Sequence, residues 1–193
     1  MTRKYEITNI QHPEKPNLFR IRALRDFSKF NFNVNAGGFG GFIENEGNLS
    51  QEGDCWIDSD AQVFGKAHVH GNAWISGGAQ IYGNARVFDN AQVYNNAQVY
   101  GKAAVYGKAA VYGNAQVYGN AKVYGGDTWV SGDAIVNKNM EISAAAVCYI
   151  GSPDQIYYSN GVTAYFDKSG QLIVNGTSPD IEHHKMLARL KLA

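Results

Sequence analysis

Small and aliphatic residues alternate with polar or aromatic residues in units of six along most of this chain, from Gly53 to Tyr149. The unit reads small, polar, Val, Tyr, Gly, Asn, and 16 units fit between these limits if one extra glycine after Tyr124 is allowed for. The small positions before that glycine are Ala61, Ala67, Ala73, Ala79, Ala85, Ala91, Ala97, Ala103, Ala109, Ala115 and Ala121. The pattern then resumes with Thr128/Val130, Ala134/Val136, Met140/Ile142 and Ala146/Cys148. Such internal repetition is the primary structural signal of the sequence.

Each unit joins four residues typical of a strand to a Gly-Asn pair typical of a corner. Because side chains alternate along a strand, the Ala and Val of a unit point one way and the intervening polar residue and Tyr point the other. Three such strands and three corners close a triangular coil of about 18 residues, and the coils stack at about 4.8 Å. The sequence therefore predicts an all-β solenoid, a parallel β-helix of about five coils. An amphipathic helix is excluded because its period is about 3.6 residues.

The limits of the repeat divide the chain into three segments. We expect residues 1–52 to form a strand-containing N-terminal cap and the entry to the first coil, because the first end of a β-helix is otherwise an open sheet edge. The alternating stretches Lys4–Ile10 and Leu18–Leu24 predict strands there. Residues 53–149 form the β-helix. The sequence of residues 150–193 predicts a second cap. This cap has strands at Gln155–Tyr158, Val162–Phe166 and Gln171–Val174, which include a β-hairpin, and then a helix from Ser178 to about Leu192.

Positions 18 residues apart stack in successive coils, so the outward residues fall on three faces. The Tyr/Gln face carries Phe64, Tyr82, Tyr100 and Tyr118, flanked by Gln62, Gln80, Gln98 and Gln116. The Trp face carries Trp56, Trp74, Tyr94, Tyr112 and Trp129. The third face carries His68, His70, Arg86, Phe88, Tyr106, Lys122 and Tyr124.

Aromatic columns of this kind have two explanations. Stacked rings and amides stabilise a flat parallel sheet, and a row of exposed rings also forms a contact surface of the kind that dominates binding. We expect the Tyr/Gln face to be presented to a partner. We expect the Trp face, which is more apolar, to be covered by a cap, by the C-terminal helix or by a neighbouring subunit.

Composition changes this picture little. The formal net charge is zero, and acidic and basic residues balance within each of the three segments. This balance predicts no dominant basic face and no nucleic-acid binding through phosphate neutralisation. No apolar run has the length of a signal peptide or a membrane span, so we expect a cytoplasmic protein. Cys55 and Cys148 occupy inward positions at opposite ends of the repeat, which predicts two buried free thiols.

The segment IRALRDF, followed by GGFIENEGNLSQEGDCWIDSDAQVFGKA, resembles the start of the YdcK-type group of transferase-like proteins, and the GNAxVYGNA runs resemble its repeats. The C-terminal part is similar to the tail of phage-encoded members. More broadly, the repeat resembles the hexapeptide-repeat superfamily, whose members include acyl-CoA-dependent acyltransferases and γ-class carbonic anhydrases. The resemblance implies a left-handed coil and a phage origin.

Catalytic chemistry of that superfamily depends on histidines. An acyltransferase needs a general base, normally beside a loop that interrupts the repeats, and His68 and His70 are the candidates although no loop interrupts the repeat around them. A carbonic anhydrase needs three histidines that converge on zinc, and the repeat contains only these two. His183 and His184 are adjacent on the predicted helix, where neighbouring side chains diverge. We therefore predict no metal site.

Three functions stay open from the sequence. The first is a non-enzymatic protein that needs no cofactor, binds a protein partner through a rigid surface and blocks a host factor, such as a defence component, in the host cytoplasm. The second is a trimeric acyltransferase that uses coenzyme A, with His68 or His70 as the base. The third is a purely structural or self-assembling protein, in which a dimer or trimer forms through the three faces.

Overall fold

A computed structural model describes residues 3–30, 32–126, 128–139, 141–143, 147–150, 156–157, 163–166 and 172–175. Expectations about other residues, which include the helix from Ser178 to Leu192 and the pair His183 and His184, lie outside these described residues.

The strands are short and follow one another along the chain. The N-terminal part contains β1 (Tyr5–Gln11), β2 (Phe19–Ala23), β3 (Phe27–Lys29), β4 (Phe32–Val34), β5 (Phe39–Ile43) and a 3-10 helix (Glu46–Asn48). The repeat contains β6 (Trp56–Ile57), β7 (Gln62–Val63), β8 (His68–Val69), β9 (Trp74–Ile75), β10 (Gln80–Ile81), β11 (Arg86–Val87), β12 (Gln92–Val93), β13 (Gln98–Val99), β14 (Ala104–Val105), β15 (Ala110–Val111), β16 (Gln116–Val117), β17 (Lys122–Val123), β18 (Trp129–Gly132), β19 (Ile135–Val136), β20 (Glu141–Ile142) and β21 (Val147–Ile150). The C-terminal part contains β22 (Ile156–Tyr157), β23 (Thr163–Phe166) and β24 (Leu172–Asn175).

The repeat strands form three parallel sheets, one for each predicted face, which confirms the β-helix. The Tyr/Gln face is the sheet that runs β5-β7-β10-β13-β16-β19. The third face is β8-β11-β14-β17-β20, and the Trp face is β6-β9-β12-β15-β18-β21. Backbone hydrogen bonds join each coil to the next, as from the amide of Gln80 to the carbonyl of Ala97 at 3.0 Å. Strands of two residues persist because the strands above and below satisfy their backbone groups.

The solenoid has about six coils, one more than the hexad count predicts. The additional coil begins at β5, where Phe42 pairs with Gln62, and continues through a bridge between Leu49 and Val69. Partners in this first coil are 20 residues apart, whereas Gln62 and Gln80 in the next coils are 18 apart. The longer first coil hides the six-residue pattern, so the sequence places its residues in the cap.

The interior of the prism is filled by the small and aliphatic positions of the repeat. Every alanine from Ala61 to Ala121 at those positions, and every Val or Ile that follows it by two residues, is fully buried. Corners are equally crowded: Gly101 has φ +71°, and a Cβ there would lie 2.9 Å from the backbone nitrogen of Gly119. Glycine is favoured at such corners both by the left-handed backbone and by the coil stacked above, although Ser59, Asp89, Asn95 and Lys138 take the same backbone at other corners with φ of 53–59°.

The N-terminal strands cap the first end, as predicted. β1 pairs antiparallel with β2, and β2 pairs antiparallel with β5, which extends the Tyr/Gln sheet beyond its first parallel strand. Lys4 is fully buried beneath this cap, where its Nζ donates to the Cys55 carbonyl at 2.8 Å and lies 3.1 Å from the Cys55 Sγ. Burial lowers the pKa of Lys4 and raises the pKa of the Cys55 thiol. Cys55 is a buried free thiol, as expected.

Tyr5 gives the cap a specific sensitivity to alkali. Its side chain is fully buried and its hydroxyl donates to the Leu49 carbonyl at 2.6 Å. Burial raises the pKa of Tyr5 from 10.0 to about 12. Because the unfolded chain loses this proton first, we expect about 3 kcal/mol of stability, fully present below pH 10, to disappear as the pH rises through 12. Chemical unfolding as a function of pH measures this loss.

Tyr5→Phe is the control for this pH dependence. The variant lacks the ionisable hydroxyl and also one hydrogen bond to Leu49, so the comparison concerns the slope with pH and not the absolute stability. We expect a shallower decline above pH 10 in Tyr5→Phe. A decline identical to that of the unmodified protein would contradict the assignment to Tyr5.

The C-terminal strands agree with their sequence signals. β22 pairs antiparallel with β23, and β23 pairs antiparallel with β24, with Phe166 opposite Leu172. β21 continues the Trp sheet, where Cys148 pairs with Val130. The side chain of Cys148 lies outside the described part of the structure.

Candidate functional site

The Tyr/Gln face carries a continuous column of stacked rings. The ring centroids are 5.1 Å apart between Phe64 and Tyr82, 4.8 Å between Tyr82 and Tyr100, and 4.8 Å between Tyr100 and Tyr118. The ring planes differ by only 1–8°. This spacing equals the distance between neighbouring strands, so each ring rests on the ring of the adjacent coil.

Hydrogen bonds fix the outer end of this column. The hydroxyl of Tyr82 donates to Gln98 Oε1 at 3.3 Å, and the hydroxyl of Tyr100 donates to Gln116 Oε1 at 3.2 Å. The Tyr118 hydroxyl accepts from Asn137 Nδ2 at 3.1 Å. Burial between the neighbouring rings raises the pKa of Tyr82 and Tyr100. The column is therefore held in place by contacts within the chain.

The cap covers the first rung of this column. Lys15, in the loop between β1 and β2, donates to Gln62 Oε1 at 2.6 Å and to Gln80 Oε1 at 3.3 Å. Its Nζ also lies 4.8 Å from the centre of the Phe64 ring. Gln62 is buried as a result, while Gln80, Gln98 and Gln116 are half-buried. The open part of the Tyr/Gln face thus runs from Tyr82 to Tyr118.

The Trp face is covered at its first two coils by the hairpin of β3 and β4. Phe27 meets Trp56 edge-on with centroids 5.3 Å apart, and Phe32 stacks on Trp74 at 5.2 Å. Trp56 is 1% exposed and Trp74 4%, whereas Trp129, at the other end of the column, is 46% exposed. A cap contact accounts for the first two tryptophans.

The Trp face also contains two columns where the sequence suggests one. In register, Trp74 pairs with Gln92 and Ala110 pairs with Trp129, so the tryptophans share the first outward position of each strand. Tyr94 and Tyr112 lie two residues further along and stack on each other with centroids 4.9 Å apart. Both columns belong to the same sheet because outward positions recur every two residues.

His68 and His70 form part of another aromatic column on the third face. Their ring centroids are 4.9 Å apart, and His70 stacks on Phe88 at 4.9 Å with the planes 3° apart. Burial, followed by the positive charge of Arg86, lowers the pKa of His68, and burial also lowers the pKa of His70. The lowered pKa favours the neutral form of both imidazoles. Within the described residues, neither ring has a carboxylate hydrogen bond to orient it.

The described residues also bear on metal binding and on membrane-spanning helices. Among residues whose side chains the structure describes, no three His, Cys, Asp or Glu groups converge in a way that could hold a metal ion. Over the same part of the chain, no helix has the length and apolar character needed to cross a membrane.

Comparison with known proteins bears on the repeat. Residues 79–95 match the family model described as the YdcK β-solenoid repeat. The matched segment spans β10, β11 and β12, one strand from each face. No curated protein matches the chain. Together with the stacked coils, the match supports a β-helix repeat of the hexapeptide type.

Proposed function

We propose that this protein is a non-enzymatic scaffold that binds a protein partner through the open part of the Tyr/Gln face. The partner would be a host factor, such as a component of a defence system in the host cytoplasm, whose own working surface is blocked when it is bound. The mechanism is occlusion by a rigid surface, and it requires neither a cofactor nor a bound metal.

The observation that carries this proposal is the order of the column from Tyr82 to Tyr118. Parallel rings 4.8 Å apart, with hydroxyls held by Gln98 and Gln116, have little conformational entropy left to lose on binding. Tyrosine supplies apolar contact area together with a hydroxyl, and it is enriched among the residues that dominate binding energy. The exposed ring edges and half-buried glutamines form a flat, uncharged strip.

We expect Tyr82→Ser/Tyr100→Ser to fold but to lose partner capture by about tenfold or more. The matched control is Tyr94→Ser/Tyr112→Ser, which removes an equivalent pair of stacked rings from the Trp face. Both variants would be immobilised beside the unmodified protein and exposed to host lysate, and captured proteins would be quantified by mass spectrometry. Circular dichroism and thermal unfolding establish that each variant is folded.

Equal capture by the two variants would exclude the Tyr/Gln face. In that case, the column is a structural device that stabilises the sheet, and self-assembly becomes the better explanation. A measured mass that rises with protein concentration would identify self-assembly directly, because a binding scaffold reaches a fixed stoichiometry with its partner.

The trimeric acyltransferase is the second candidate, and the lowered pKa of His68 and of His70 favours it, since a general base must be unprotonated to act. Calorimetric titration with coenzyme A and acetyl-coenzyme A separates the two functions. Saturable binding that disappears in His68→Ala or His70→Ala would overturn the non-enzymatic proposal. The absence of any binding heat at millimolar coenzyme A would leave it standing.

A further inference from the structure

The basic residues of the repeat are distributed unevenly among the three faces, although acidic and basic residues balance along the sequence. Six basic residues lie between residues 53 and 139, and all six are exposed and placed on the third face or at the corners that bound it. Two stand on strands of that face, and four stand at its corners. They are Arg86 in β11, Lys122 in β17, Lys66, Lys102 and Lys138 at the corners shared with the Tyr/Gln face, and Lys108 at a corner shared with the Trp face. The basic residues of these coils are therefore gathered around one face.

Acidic groups offset this charge only in part. Glu141 pairs with Lys122 at 3.3 Å, and the Asp89 carboxylate accepts from the backbone amide of Gly107 at its corner. Within the described part of the chain, Lys66 and Lys102 have no salt-bridge partner. The acids Asp58, Asp60 and Asp133 lie elsewhere, on the Trp face or at its corner with the Tyr/Gln face. In the first coil, the corners of the third face carry Glu44, Glu46, Glu52 and Asp54, of which Glu46 pairs with Arg3 and Asp54 with Arg25. Among the described residues from 65 to 141, the third face and its corners therefore carry six basic side chains against two acidic ones, Asp89 and Glu141.

The aromatic column on this face presents edges, not ring faces. Ring centroids are 4.8 Å apart between Phe88 and Tyr106 and again between Tyr106 and Tyr124, with planes within 3°. Each inner ring is thus covered on both faces by its neighbours, and no nucleic-acid base can stack on it. Ring edges carry partial positive charge, so they add to the attraction for anions. These features favour carboxylates over a single-stranded nucleic acid, whose binding depends on stacking.

A small residue opens a gap between two of the cations. Ala104 lies in register between Arg86 and Lys122, one coil from each. At the strand spacing, the backbone positions of Arg86 and Lys122 are about 10 Å apart, with only the methyl group of Ala104 between them on this column. A carboxylate that enters this gap would lie between Arg86 and Lys122 and would compete with Glu141 for the Lys122 ammonium.

We infer that the third face binds an acidic protein segment, with one carboxylate in the gap above Ala104 and others meeting Lys66 and Lys102. This surface adjoins the Tyr/Gln face along one edge but uses different side chains, so the inference does not depend on the proposed function. It is a second contact area on the same rigid prism, and the chemistry that it recognises is side-chain carboxylate.

Ala104→Asp and Ala104→Asn form the matched pair that tests the inference. Aspartate and asparagine have nearly the same shape, but only aspartate places a carboxylate of the protein's own between Arg86 and Lys122. The probe is fluorescently labelled poly-L-glutamate, followed by anisotropy at low ionic strength, with labelled oligothymidylate of equal net charge as the comparison. We expect the unmodified protein to prefer poly-L-glutamate and Ala104→Asp to bind it about tenfold more weakly, with Ala104→Asn unchanged.

Two further variants locate the surface. Lys66→Gln/Arg86→Gln/Lys102→Gln is expected to weaken poly-L-glutamate binding by about tenfold or more, and added salt is expected to weaken binding by the unmodified protein. Tyr82→Ser/Tyr100→Ser is expected to bind as the unmodified protein does. Failure of either face is therefore distinguishable from failure of the other.

Several outcomes would overturn the inference. These are an unmodified protein that does not bind poly-L-glutamate at low ionic strength, one that prefers oligothymidylate, and equal binding by the neutralised triple variant. Equal weakening by Ala104→Asp and Ala104→Asn would show that shape and not charge governs the gap, and it too would count against the inference. A preference for oligothymidylate would reassign the surface to nucleic acid.

Discussion

Val105→Asp is expected to prevent the chain from folding. Val105 is fully buried in β14, in parallel register between Val87 and Val123, and its surroundings are the alanine and valine side chains of the prism interior. An aspartate there has no polar partner, and burying an unpaired polar or charged group costs several kcal/mol. Since a domain of ordinary stability has only about 5–15 kcal/mol in total, most of that margin is lost. Circular dichroism and chemical unfolding would show the effect.

Ala104→Asp is the control for this prediction because it introduces the same side chain one residue earlier. Ala104 points outward, is only half-buried, and stands between Arg86 and Lys122. We expect its free energy of unfolding to stay within about 0.5 kcal/mol of the unmodified protein. Similar destabilisation by the two substitutions would contradict the assignment of inward and outward positions in the repeat.

Gly41→Ala is expected to lower the free energy of unfolding by about 3 kcal/mol. Gly41 lies in β5, where the cap becomes the first coil. A Cβ there would lie 2.4 Å from the Ala61 carbonyl oxygen and 2.5 Å from Cγ2 of Ile57. The first of these atoms belongs to the backbone of the next coil and cannot move aside without breaking the pairing of β5 with β7. At this chain length, the expected fall in Tm is about 10 °C.

Gly126→Ala is the matched control. A Cβ at Gly126 would meet nothing within 4 Å, so the added methyl group clashes with no atom. We expect its Tm to stay close to that of the unmodified protein. If Gly41→Ala unfolds at the same temperature as Gly126→Ala, then β5 is not packed against the second coil as the structure shows.

The aromatic columns serve stability and recognition with the same atoms. Each stacked pair contributes about 1 kcal/mol beyond its buried area, and stacking also sets the spacing of the outward edges. A substitution in one column therefore changes both properties, so Tyr82→Ser/Tyr100→Ser is compared with the same substitution at Tyr94 and Tyr112 on the Trp face. Because each coil contacts only its neighbours, such changes stay local.

The hexad determined the architecture, the inward set and the three faces without any help from tertiary structure. The reason is that every inference of this kind is local: alternation along a strand decides which residues face inward, and a constant period brings equivalent residues into register. The stacked columns from Phe64 to Tyr118 and from His70 to Tyr124 follow from that register alone. The buried position of Cys55 follows in the same way.

Only the tertiary structure decided how the non-repeating residues meet the coils. The 20-residue offset at β5 adds a coil that no hexad marks, Lys15 closes over Phe64 from a distant loop, and Phe32 covers Trp74. Lys4, at the start of a predicted strand, lies buried beside Cys55. These contacts join residues more than 40 positions apart in several cases, and no pattern of neighbouring residues encodes them.

The distribution of charge depends on both the sequence repeat and the tertiary structure. The sequence gives the positions of Lys66, Arg86, Lys102 and Lys122. However, the net charge of each segment is close to zero, so it does not show that these residues lie on or beside one face. Folding the chain into coils of about 18 residues places neighbouring residues of the sequence on different faces. It also brings onto one face residues that are one or two coils apart along the chain, such as Arg86 and Lys122. The sequence thus determined the prism and the side on which each residue stands, while the winding of the chain in three dimensions decided which charges act together.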